Sequence, residues 1–143
     1  MSRVYQRAQD WPERLESYVA ERGGNTQGFA WGSNDCVHFA ANWLMRLGYP
    51  NPLAGFGEWE SPLSAARVIR AAGGFSFAVS NRMSELGCQQ ITPLTAGRGD
   101  LVLLQIDARR QALGVVVGAN AVAPGPMGVS FFPMNRAVGA WRT

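Results

Sequence analysis

Residues 31–48, WGSNDCVHFAANWLMRLG, decide how the chain is read. Ser33, Asn34 and Asp35 each carry a side-chain oxygen able to cap a helix start. The apolar set that follows is Cys36, Phe39, Ala40, Trp43, Leu44 and Leu47. It recurs every three or four residues, the spacing of one buried helix face. Gly48 supplies the stop. Cys36 therefore falls in the first turn of a largely buried helix, where unpaired backbone N–H groups favour a thiolate. His38, Asn42 and Arg46 fall on a more polar face. His38 is the single histidine of the chain, and Cys36 is one of two cysteines, with Cys88.

Upstream, Asp10 reads as the N-cap of a first helix, with Pro12 in its first turn and Glu13 as the reciprocal capping residue. Trp11, Leu15, Tyr18 and Val19 face inward, and Gly23-Gly24 stops it. Downstream, 49–60 is broken by prolines and glycines. Ser61 then caps a third helix that opens on Pro62 and runs to about Ala72. Residues 75–88 are ambiguous, with a short helix expected at 81–86. The chain then turns to strands: 101–106, 113–118, and two more within 127–134 and 137–143. Residues 123–128, APGPMG, read as a turn. Helices followed by an antiparallel set of strands make an α+β fold, one helical layer on a small curled sheet.

The 143 residues are enough for one domain with its own core, with 1–9 read as an N-terminal arm. At 47% hydrophobic and 16% charged the chain is expected to fold rather than remain disordered. The net charge of +3 comes from scattered arginines with no block or stripe, which argues against nucleic acid. No apolar run suits a membrane helix, and the polar start offers no signal peptide. Two cysteines and one histidine fit no zinc spacing, so neither a metal nor another cofactor is expected.

The WGxxDC turn entering a helix, a GD step at Gly99-Asp100 before a strand, and the strand ALGVVVG at 112–118 resemble the NlpC-type branch of papain-like cysteine peptidases. From about Phe29 to Trp141 the chain more closely resembles a small family of phage and prophage tail-associated proteins related to that branch and to the peptidase-like protein of gene transfer agents. The resemblance implies a papain-like fold in the NlpC manner, with N-terminal helices on a small antiparallel sheet. It places the nucleophile at Cys36, after Asp35, and gives Trp31, Gly32, Gly99, Asp100, Gly114 and Trp141 structural roles. It places the general base where HxGxxxG would begin, and this chain has Ala112 there. The nearest polar candidate for the third, orienting position is Asn120.

Acyl transfer needs a thiolate and a base that shuttles its proton. Ala112 supplies none. His38 is the remaining candidate, but residues i and i+2 of one helix do not face each other. Asp35 reads as an N-cap before it reads as an orienting group. Ser33, Asp100 and Asp107 have no partner at motif spacing for another chemistry. Phe56 and Trp59, in a Gly- and Pro-rich loop, are the candidates for exposed interface anchors.

The expectation is a tail-tip, baseplate or tail-assembly component, a pseudoenzyme that binds tail-hub neighbours or peptidoglycan. It would reside in the virion tail or, during assembly, in the host cytoplasm. The competing expectations are an active cell-wall cysteine peptidase or amidase using Cys36, and a peptidoglycan-binding module without catalytic history.

Overall fold

A computed structural model describes residues 6–23 and 28–143. The expected helix stop at Gly24 and the first five residues of the expected arm lie outside these. Among the described residues the chain forms α1 (Trp11–Gly23), α2 (Cys36–Leu47), α3 (Pro62–Ala71) and α4 (Phe75–Glu85). There follow β1 (Gln90–Ile91), β2 (Leu101–Gln105), β3 (Gln111–Val116), β4 (Asn120–Gly125), β5 (Gly128–Pro133) and β6 (Ala137–Trp141). The strands make one antiparallel sheet in the order β1-β6-β2-β3-β4-β5. The fold class is α+β.

The helix starts follow the sequence closely. Asp35 is the N-cap of α2, its carboxylate accepting from His38 N, and Gly48 is the left-handed C-cap at φ 110°. Ser61 and Ser64 form a reciprocal capping box on α3, with Pro62 in its first turn. The expected short helix at 81–86 is instead the C-terminal half of α4, which begins at Phe75. Gly73 and Gly74, at φ 94° and 104°, turn the chain sharply enough for α4 to start at once. Two strands, β1 and β4, fall outside the stretches read as strands from the sequence, which allowed three to five in all. β1 has only two residues, and β4 begins immediately after the 113–118 run. The turn between β4 and β5 is shorter than 123–128, because Ala123 to Gly125 already pair with β5.

The sheet is apolar on both faces. Leu101, Leu103, Leu113, Val115 and Val122 face the helices, against Tyr18, Phe39 and Trp43. Val102, Leu104, Val116, Ala121 and Ala140 form a second cluster, covered by Ile91, Ile106, Phe132 and Met134. This explains why β2 reads as a continuous apolar run rather than an alternating one. Gly114 is needed where strands approach closely. A Cβ there would lie 2.9 Å from Leu104 Cδ1 and 3.2 Å from Val122 O.

Gly99, Asp100 and Trp141 meet at one corner of the sheet. Trp43 Nε1 donates to Gly99 O at 2.8 Å, and Gly97 N and Thr143 N donate to the buried Asp100 carboxylate at 2.9 and 3.0 Å. Trp141 is buried at the end of β6. The described part of the expected N-terminal arm is packed onto this corner. Arg7 pairs with Asp100 and stacks on Trp11, and Ala8 N donates to Leu47 O.

Candidate functional site

α2 meets the sheet through β3, and this contact sets the position of Cys36. The residue is half-buried, and its thiol is turned toward the backbone of Leu113 on β3. Burial pushes the thiol up to about 11. The Leu113 backbone and the amides of the first turn offset part of that rise, while the Asp35 charge adds to it. Burial thus outweighs the helix N-terminus, and Cys36 is a protonated thiol at neutral pH. Ala112 precedes Leu113 on β3, but strand alternation turns its methyl group to the other face of the sheet, with Leu104, and it does not line the space beside the thiol. Cys88 is buried in the core.

Asp35 is the best-connected polar group nearby. It is buried and accepts from His38 N at 2.8 Å, Gly32 N at 3.0 Å and Trp59 Nε1 at 2.7 Å. His38 Nδ1 lies 2.8 Å from Oδ1. An ionised carboxylate only accepts, so Nδ1 carries the proton. Burial alone would raise the Asp35 carboxyl, but the backbone bonds from His38 and Gly32 and the side-chain bonds from His38 and Trp59 hold it below its ordinary value. His38 also rests against the Trp59 ring, centroids 4.9 Å apart. The histidine thus belongs to a clamp that ties the 49–60 loop to the head of α2, and it does not serve Cys36.

Beside this clamp lies a half-enclosed cavity of about 670 Å³. Cys36, Ala40 and Leu44 line it from α2, one turn apart, and Val68 and Val79 from α3 and α4. Leu101 and Leu113 close its floor, while the β2–β3 hairpin tip brings Gln105, Arg109 and Arg110 to it. His38 is not among its lining residues.

The structure corrects several expected site residues. Trp59 is not an exposed anchor. It is 8% exposed because its indole is bonded to Asp35, and it contributes a wall of the cavity. Phe56 is half-buried beneath the Arg82 guanidinium, 4.4 Å from its ring, and lines the same cavity. Trp31 is not a buried structural residue. It is 40% exposed, edge-on to Phe29, and also lines the cavity. Gly32 is structural: its φ is +83°, and a Cβ there would sit 2.1 Å from Trp59 O. Asn120 is exposed at the start of β4, near the opposite end of β3 from Ala112, and lies outside the cavity. Asp107 folds back on Arg110 and the Arg109 N–H in the hairpin turn, and Ser33 is exposed. The cavity was missed because helical periodicity marks apolar faces without saying whether they close on one another.

A family described as Domain of unknown function (DUF6950) matches residues 6–143. The chain belongs to that family. The DUF6950 match spans both the Asp35 clamp and the cavity, so site and fold lie within one family unit. No curated protein matches the chain. Among the described residues, no group of three or more His, Cys, Asp or Glu side chains is arranged to hold a metal ion, and no helix is long and apolar enough to cross a membrane.

Proposed function

We propose that the protein is a non-catalytic component of a phage tail tip or tail-assembly complex, built on an NlpC-type, papain-like peptidase fold. The observation that carries this reading is Cys36 at the head of a helix with no base free to serve its thiol. The cysteine heads a helix packed on β3, as the NlpC resemblance implies, but the residue that aligns with the base, Ala112, has no base to offer and the thiol is pushed up to about 11. Proton transfer from thiol to leaving group then has no carrier, because the one histidine is committed to Asp35. What persists is the concave surface beside Cys36, with the exposed Phe29–Trp31 pair near it. Such a surface suits binding to tail-hub or baseplate neighbours, or to peptidoglycan. In this reading the protein resides in the virion tail, or in the host cytoplasm during assembly.

The test is genetic, in a phage or prophage that carries the gene. Deleting the gene is expected to yield particles defective at the tail tip, and Cys36→Ala to leave infectious titre unchanged. Normal particles after deletion would overturn the tail assignment. Loss of titre with a folded Cys36→Ala protein would overturn the non-catalytic reading.

A further inference from the structure

The cavity beside Cys36 is too large to be a packing defect. Protein interiors leave few voids larger than a water molecule, whereas about 670 Å³ is the size of a ligand pocket. The helices around it are shaped to keep it open. α3 and its C-cap present Ala65, Val68, Ile69 and Ala72 at i, i+3, i+4 and i+7, and these line the cavity. Small residues on the opposing side, Ala40 and Ala41, preserve the space.

The lining also selects its occupant. The one carboxylate on it, Asp35, is already taken up by the bonds from His38, Gly32 and Trp59. The cations on it are Arg82, Arg109 and Arg110. Arg82 is engaged with Glu85 and the carbonyls of Pro52 and Ala54, and Arg110 with Asp107. Arg109 sits exposed on the hairpin tip, and no side-chain partner for its guanidinium is found among the described residues. A peptide threaded inside would bring N–H and C=O groups into a largely aliphatic and aromatic space, where the uncharged amides, Gln105 and Gln111, belong to the β2–β3 hairpin, at a cost of roughly 1–3 kcal/mol for each group left unpaired. An alkyl chain brings none.

We propose that this cavity binds a single-chain amphipathic anion: an aliphatic tail seated between α2, α3 and α4, with its acidic head on Arg109. The site stands on the cavity and the arginines, and does not depend on whether Cys36 is catalytic or where the protein resides.

Titration calorimetry on the full chain tests it, with dodecanoate, dodecyl phosphate and dodecyltrimethylammonium as probes below their micellar range. One anion bound per chain is expected, and the two anions separate a carboxylate ligand from a phosphate one. Arg109→Glu, at an exposed turn, is expected to weaken anion binding about tenfold, the effect of one charge-assisted contact. Val68→Trp is expected to fill the space and abolish binding without lowering the melting temperature. The proposal is overturned if neither anion binds, if the cationic probe binds equally well, or if Arg109→Glu leaves anion affinity unchanged. Displacement of dodecanoate by an uncharged apolar peptide that binds more tightly would also overturn it, in favour of a protein partner.

Discussion

The indole Nε1 of Trp59 donates to Asp35 Oδ2 at 2.7 Å, while Oδ1 of the same carboxylate accepts the capping bond from His38 N. One buried side chain thus starts α2, orients the single histidine and pins the 49–60 loop. Trp59→Phe removes the donor together with part of the ring system. It is expected to cost about 1–2 kcal/mol, and Asp35→Ala, which strands the other donors as well, about 3 kcal/mol or more. Urea denaturation monitored by circular dichroism measures both. Equal losses for the two variants would show that the bonds do not converge on Asp35.

The same carboxylate gives stability a pH dependence of known sign. Its folded value is held below the unfolded one, so it contributes stability above the unfolded value of about 4 and loses it as pH falls through the folded value. Denaturation midpoints measured from pH 6 down to pH 3 should fall more steeply for the wild type than for Asp35→Asn. Parallel curves would remove Asp35 from the account.

Gly32 should tolerate no side chain. Its positive φ and the approach of Trp59 O make Gly32→Ala strained in both backbone and contact, at a cost of roughly 2 kcal/mol or more. Thermal melts of Gly32→Ala and Gly55→Ala make the comparison. Gly55 also has a positive φ, but open space around it, so it should lose less.

Asp100, which does not line the cavity, should matter for stability alone. Arg7, Thr143 N and Gly97 N all bond its buried carboxylate, and Asp100→Ala is expected to cost about 3 kcal/mol by leaving the Arg7 charge without this partner. Chemical denaturation checks the loss. A change below about 0.5 kcal/mol would mark the pair as a weak surface bridge instead.

These residues also show what was legible in the sequence. Asp35, Gly48, Ser61 and Pro62 act through neighbours within a turn of the chain, so their roles could be read from local pattern. Trp59 could not be placed, because its partner lies 24 residues away and nothing in a Gly- and Pro-rich loop reveals which way an indole turns. α4 was under-read because its helical signal is weak and depends on the corner made by Gly73-Gly74. Cys36 lies at a helix head, as the local pattern says, but its titration is set by burial, offset in part by the Leu113 backbone, and both are long-range facts. The cavity depends on how three helices stand apart, and no local pattern encodes that.

The most direct test of the central claim, that Cys36 is a resting thiol without a base, is its rate of alkylation by iodoacetamide against pH in the Cys88→Ser background. The account predicts slow labelling at neutral pH that climbs only toward about pH 11. Fast labelling with a midpoint well below the ordinary thiol value of about 8.5 would contradict it, and would make Cys36 an activated nucleophile.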